Sequence, residues 1–446
     1  MTPPDEEQQR AAASRAEVET SSTGSATPEE THEPQRGSLL VIFLTVFVDL
    51  LGFGIVLPLL PVYADRFTLD ESGWQLGLLM ASYSAMQFLF APLWGRLSDR
   101  IGRRPVLMIG LSGSVAFYAG FGVATIMESF WFLMACRVGA GIAGATIPTA
   151  QAYIADTTSL EKRSKGMALI GMAFGLGFTF GPILGFLAVP TRDAQPGPWP
   201  GYVAALLSAV ALVMAIFWLP ESRTKEQRLA ATDSSHPRFD RRGLQIALRV
   251  PSIGLLLFAI FVCLFSFANF ETTLSLLIKG GREGVPSPFE FSWGQVCLTY
   301  AYIGFTLALV QGGIVRRLSG RVADGTLAAT GAGIEIVGFG TMVLAIVLQS
   351  AGLLLGALAI VVAGFSFMQP SLNALLSRRT SPDQQGAVLG VGQSVNSLAR
   401  IAGSGLGIPL LRIHDQLPYL LAAGLMVFGL IFVVIAARSG RDYAAE

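Results

Sequence analysis

The stretch "GRLSDRIGRRPVL", residues 95–107, sets one acid and four arginines among thirteen positions. On either side the chain is free of charge for about twenty residues. A charge at mid-bilayer costs at least about 2.5–3.5 kcal/mol, so such a knot marks the edge of a membrane and the apolar flanks mark its interior. The composition agrees. Of 446 residues, 52% are hydrophobic and 14% charged, where an average soluble chain carries roughly a quarter charged residues.

Reading outward from the knot, apolar runs of about 20 residues, the length that crosses a bilayer as a helix, recur twelve times. They fall at about 39–63, 74–95, 105–126, 130–154, 166–189, 201–219, 253–278, 293–315, 327–349, 352–376, 386–411 and 417–437. The longest polar break within this array, "PESRTKEQRLAATDSSHPRFDRRG" at 220–243, divides them six and six. The organisation expected is an N-terminal bundle over 39–219, a linker over 220–252, a C-terminal bundle over 253–437 and a short tail over 438–446. Residues 1–38, with eight acids and three arginines, have too little apolar surface to order and are expected to be a disordered acidic tail. The connections on the side of the termini, with the C-terminal tail, hold 21 lysines and arginines against five in the others. That bias puts both termini in the cytoplasm.

Several function classes lose their chemistry here. A net charge of +1 gives no bulk attraction to nucleic acid. The cysteines Cys136, Cys263 and Cys297 form no CxxC pair, and neither an H-E-x-x-H nor a Walker-type G-K-[ST] occurs, so metal-site, metallohydrolase and P-loop readings lack their ligands. "GAGIAG" at 139–144 matches a dinucleotide fingerprint, but no strand precedes it, and small residues at membrane depth serve close helix packing. No convergent nucleophile, base or metal set marks an enzyme. The halves echo each other: "TSLEKRSKGMALIG" from 158 returns as "TSPDQQGAVLGVG" from 380, and the opening stretch returns more weakly as "GIVRRLSGRVADG" from 313. Duplicated six-helix halves are a transporter architecture, with the substrate held between them.

With these motifs in hand, the sequence resembles the major facilitator superfamily, in its drug–proton antiporter branch. The order of Gly95, Asp99, Arg100, Gly102, Arg103 and Arg104 after the second span is similar to that family's signature loop. "VDLLGFGIVLPLLP" at 48–61 resembles its acidic first-span motif through Asp49, and "RVGAGIAGA" at 137–145 its membrane-embedded arginine motif through Arg137. "GLGFTFGPILGF" at 175–186 resembles its antiporter motif through Gly177, Gly181, Pro182 and Gly185. Tetracycline-efflux proteins and their animal relatives look most similar. Two positions depart: Phe117 stands where bacterial tetracycline exporters carry an aspartate, and Arg400 in "NSLARIAG" has no counterpart there. The resemblance stops short of naming tetracycline as the substrate.

What it implies is an all-α, twelve-helix monomer that moves a small-molecule substrate against protons, draws on the proton gradient and uses no cofactor. The expected activity is proton-coupled efflux of small amphiphiles by alternating access; organic-anion carriage, import and facilitative uniport stay open on the same fold. The absence of any N-x-[ST] sequon fits a bacterial inner membrane.

Five charges stand inside the spans: Asp49, Arg137, Glu271, Glu335 and Arg400. At ~1.5 Å per residue, Asp49 lies roughly 15 Å and Arg137 ~18 Å from the cytoplasmic surface. Levels this close predict an ion pair, either a protonation switch or a static packing contact. Glu271 and Arg400 form a second candidate pair, and Glu335 matches the ninth-span acid of the tetracycline exporters. Three acids against two arginines lean toward neutral or cationic substrates. The resemblance further implies a latch in which Asp99 caps the start of the eleventh span while Arg103 pairs with Asp156. Tyr83, Gln87, Gln311, Gln369 and Asn373 are the expected substrate contacts.

Overall fold

The computed structural model describes residues 36–60, 74–158, 160–188, 197–224, 228–229, 251–279, 287–319, 321–380 and 385–439. Most of the acidic tail and of the linker, and the last seven residues, therefore lie outside the described residues, while the last three residues of the expected tail, 36–38, already belong to the first helix. Among the described residues there are twelve long helices, ten of them long and apolar enough to cross a membrane by length and composition, and the only strand-like pairing is one isolated bridge, Ser319 with Val322. The first half holds α1 (Arg36–Val56), α2 (Trp74–Ile101), α3 (Arg103–Ile126), α4 (Phe130–Thr157), α5 (Leu160–Ala188) and α6 (Trp199–Trp218). The second holds α7 (Pro251–Lys279), α8 (Trp293–Leu318), α9 (Asp324–Val347), α10 (Ala351–Arg378), α11 (Gln385–Ile413) and α12 (Leu417–Ser439).

Two spans depart from plain α-helix. α4 breaks between Gly144 and Ile147. Pro148 has no N–H for the Gly144 carbonyl, and Gln87 Nε2 of α2 donates to that carbonyl instead at 3.4 Å. Trp94 Nε1 likewise donates to the carbonyl of Ile142 at 2.7 Å. α8 passes through a π-helical segment, Val310–Val315, before its last turn. The arginine-rich loop expected between the second and third spans is a single residue: α2 runs to Ile101 and α3 starts at Arg103. The charges of the opening stretch therefore sit on two helix ends around Gly102.

Packing repeats with a shift of six. α3 packs on α4 and α6 as α9 packs on α10 and α12, while α7 packs on α11 and α12. α1 meets α5 and α6 through glycines: a Cβ at Gly54 would strike the Gly177 backbone, and one at Gly52 would lie 3.1 Å from the Ala204 carbonyl. Gly181 faces the Gly54 backbone in the same way, and Gly185 sits against Ile55 of α1 and Cys297 of α8. Three residues of the antiporter motif thus form the α1–α5 seam, with Pro182 inside α5. The glycines of "GAGIAG" are packing residues too: Gly139 receives the Phe117 ring, and Gly141 and Gly144 receive Tyr83. Gly403 and Gly407 press against α7 at Phe265 and Asn269.

The halves meet through α2 on α11 and α5 on α8. Close contact lies on the side away from the chain termini, where Gly77 faces Gly405, Gly304 faces Phe178 and Gly294 faces Phe186. One apolar core spans both halves there, joining Leu59, Leu60, Leu76 and Met80 to Trp293, Cys297 and Ile408. On the terminal side, Gly95, Gly175, Gly312 and Gly390, one on each interface helix, meet nothing described within 4 Å of an added Cβ. Among the described residues, the close contacts between the halves lie on the far side.

Candidate functional site

The membrane-embedded charges do not gather into one cluster. Asp49, on α1, accepts a hydrogen bond from Ser208 Oγ of α6 at 2.9 Å, with Ser114 of α3 beside it. Arg137, on α4, lies with its guanidinium 4.4 Å from the Tyr83 ring centroid and 5.9 Å from that of Phe53. Among the described residues no ion pair joins Asp49 to Arg137, which corrects the pairing expected from their common depth. Asp49 is hydrogen-bonded to the α6 hydroxyl of Ser208, whereas the Arg137 guanidinium lies over the rings of Tyr83 of α2 and Phe53 of α1, one turn beyond Asp49.

Arg137 is 5% exposed, and its Nε makes no hydrogen bond. Its stabilisation comes from ring faces, worth about 2 kcal/mol when desolvated. Phe53 lies 5.1 Å from Tyr83 and 5.9 Å, edge to face, from Phe178 of α5. Tyr83 of α2 and Phe53 of α1 thereby cover the cation, with Phe178 of α5 behind Phe53.

In the second half, Arg400 Nη1 donates to Glu271 Oε2 at 2.7 Å, so α11 and α7 are joined by the second expected pair. The Arg400 side chain is 37% exposed and that of Glu271 16%. Glu335 stands apart. It is fully buried between α9 and α10, its Cγ against Gly364, and neither carboxylate oxygen has a hydrogen-bond partner. Of the five embedded charges, then, one pair is made, two members of the other pair are separate, and one acid is alone in the C-terminal core.

Of the expected substrate contacts, Tyr83 lies under Arg137, and Gln87 is engaged on the α4 break. Gln311 falls in the π-helical segment of α8, Gln369 precedes the internal Pro370 of α10, and Asn373 is exposed one turn further on. The structure brings Tyr83 to Arg137 and Gln87 to the α4 break further along the same helix, and places the other three on the opposite half.

At the terminal ends of α2, α3, α4 and α6, Arg103 donates Nε to Asp156 Oδ2 at 3.1 Å and lies 2.8 Å from Asp99 Oδ1. Asp99 also takes Arg223 of the linker at 3.3 Å. Its carboxylate is therefore held within its own half; residues 381–384, the α11 start in the expected latch, lie outside the described residues. Gly95, expected at a close approach, has no described atom within 4 Å of an added Cβ. Arg100 is exposed, and Arg104 donates Nη2 to the carbonyl of Ile216. Gly102 adopts φ 111° and ψ 158°, a region open essentially to glycine.

Sequence reading missed Glu221. Its carboxylate accepts the backbone N–H groups of Arg103 at 2.9 Å and Arg104 at 3.2 Å, an anion on the N-terminus of α3. An added Cβ at Gly102 would run into that carboxylate. The signal was present: "PES" at 220–222 puts an acid directly after the sixth apolar run, on the same side as the arginines. In the second half the corner recurs with the charges exchanged, Asp324 of α9 pairing with Arg378 of α10 at 3.1 Å beside a cavity of about 580 Å³.

Comparison with known proteins meets this geometry. The family model of the Major Facilitator Superfamily matches residues 42–404. The chain belongs to that superfamily. It is 31% identical over 370 residues to the class C tetracycline resistance protein of Escherichia coli, covering 82% of this chain and 88% of that one. It is 32% identical to human major facilitator superfamily domain-containing protein 10 over 423 residues, 84% of this chain and 88% of the relative. The crystal structure of the human organic anion transporter MFSD10 (TETRAN) superposes with a TM-score of 0.67 at 27% identity, covering 90% and 99%. A D-xylose–proton symporter gives 0.68 at 16% identity, covering 89% and 96%, a likeness of fold. The chain is a multi-pass membrane transporter with the twelve-helix fold of its superfamily.

Proposed function

We infer that this transporter exports small amphiphilic molecules in exchange for protons, by alternating access between its two halves. The observation that carries the reading is Asp49, a carboxyl inside the N-terminal bundle held by a neutral hydroxyl rather than by a cation. Ionised, it is an unpaired charge at low dielectric; protonated, it is a satisfied polar group. The two protonation states therefore favour different packings of α1 against α3 and α6, and a substrate that binds one of them differentially couples to the proton. The tetracycline resistance relatives support efflux. The arginine and lysine bias supports cytoplasmic termini, which puts the close contacts between the halves on the far side of the membrane from the cytoplasm. No cofactor enters this reading: the proton gradient is the energy source and one chain is the working unit, in a bacterial inner membrane.

The test is substrate-induced proton release from acidified, everted vesicles carrying wild type or Asp49→Asn, with a panel of cationic, neutral and anionic amphiphiles. A response to one compound class that Asp49→Asn abolishes is the expected outcome. A response that survives in Asp49→Asn, or silence across the panel with folded protein present, overturns it.

A further inference from the structure

We propose that the cavity at the terminal ends of α9, α10 and α12 binds the phosphate of an anionic phospholipid headgroup. It lies in the C-terminal half, away from the helices through which the halves meet, and the assignment stands apart from the transport reading.

The charge of the lining carries it. Asp324, Thr326, Arg378, Arg379 and Arg438 border a space of about 580 Å³. Three arginines face one acid, a balance of +2 among the described lining residues, and that acid is engaged: Arg378 Nη1 donates to Asp324 Oδ2 at 3.1 Å. Arg379 is 7% exposed and gives Nη2 to the carbonyl of Ala437 in the cavity wall at 3.4 Å. Its charge is thus largely out of water, where an anion is attracted more strongly. Arg438, in the last turn of α12, is exposed. The start of α9 acts in the same sense. Its N-cap, Ala323, lines the cavity and supplies no side-chain acceptor, which sets the positive end of the helix dipole at the same space.

The surroundings decide between a lipid and a soluble phosphate. Exposed Phe428, Ile431 and Ile435 follow one another at helical spacing along α12, and the next place in that stripe is Arg438. On α9 the exposed Leu344 and Val337 lead in the same way to Thr330 and Thr326. Two outward apolar stripes therefore reach the cavity, each ending in a polar side chain. Acyl chains lie along such stripes, and a basic pocket at their end between membrane helices takes the headgroup. The headgroup is anionic rather than zwitterionic, because an ammonium would need an acid and the one acid in the described lining is held by Arg378.

The test uses the full chain in detergent, stripped of co-purified lipid. Native mass spectrometry gives the Kd of the first bound molecule of dioleoylphosphatidylglycerol or dioleoylphosphatidylethanolamine. The phosphatidylglycerol should bind at least about tenfold more tightly, since each basic residue near an anionic headgroup contributes roughly fivefold. Arg438→Gln and Thr326→Glu, both at exposed positions, should each weaken it about fivefold, and Arg438→Lys should keep most of the affinity. Arg317→Gln, which removes an exposed arginine at the terminal end of α8 outside the cavity, should leave it unchanged. Inorganic phosphate added as competitor should not displace the lipid. Equal binding of the two lipids, or no binding of either, overturns the proposal, and these wild-type measurements decide even if a variant does not fold. An affinity that survives both Arg438→Gln and Thr326→Glu, or that falls as far in Arg317→Gln, overturns it too. Displacement by inorganic phosphate would make the cavity a site for soluble phosphates and overturn the lipid assignment.

Discussion

Replacing Gly102 by alanine tests the corner where α2, α3 and α6 meet. Two costs add at this position. At φ 111° and ψ 158° a residue with a Cβ pays about 1–3 kcal/mol in backbone strain. The new methyl also occupies the place of the Glu221 carboxylate, pushing it off the N–H groups of Arg103 and Arg104. Losing that charged cap costs about 2 kcal/mol. Gly102→Ala alone should therefore cost about 3–5 kcal/mol and Glu221→Ala about 2 kcal/mol. In the double variant the carboxylate is already gone and only the backbone strain is added. The double should fall short of the sum by about 2 kcal/mol, or about 4–8 °C in apparent Tm for a bundle of this size. Thermal unfolding of the four proteins in one detergent, followed by intrinsic fluorescence, measures the coupling. Costs that add to within about 0.5 kcal/mol would refute the steric and capping argument together.

Two further perturbations probe the interface and the lone acid. Gly304→Val should prop open the seal at the Phe178 backbone and expose Cys297, which is fully buried in the shared core. Maleimide labelling of a variant retaining only that cysteine should then rise several-fold over its Gly304 parent, and unchanged labelling would place the seal elsewhere. Glu335→Met keeps the length of the side chain and removes two carboxylate oxygens that have no hydrogen-bond partner. It should raise the apparent Tm, since an apolar isostere in place of an unsatisfied buried acid stabilises by about 1–3 kcal/mol; a lower Tm would mean that the carboxylate is held by a partner.

Much of the fold was legible because the bilayer admits few solutions. A chain with twelve apolar runs, and no water inside the membrane to satisfy its backbone, has to close its hydrogen bonds within helices. Run length, the six-and-six division and the repeated "TS" segments followed from composition and order. The pairing of Arg103 with Asp156, and of Arg400 with Glu271, was also within reach, since both members of each pair are near helix ends or at matched depth. Glu221 was passed over because the acid after the sixth run is visible in the sequence but the backbone N–H groups it caps are not.

Depth along a helix is a one-dimensional quantity, and the sequence by itself determined it: Asp49 and Arg137 do lie on neighbouring helices deep in the same bundle. Only the tertiary structure decided which way each side chain turns. The rotation of α1 gives Asp49 to Ser208, and the packing of α4 on α2 lays Arg137 across Tyr83. Side-chain direction, not level, separates a partner from a stranger, and the approach of the helices is set by which small residues let two backbones touch. Gly54, Gly177 and Gly181 set it for α1, and Gly139, Gly141 and Gly144 for α4. Charge balance at the site is therefore a property of packing, which a count of acids and arginines along the chain cannot contain.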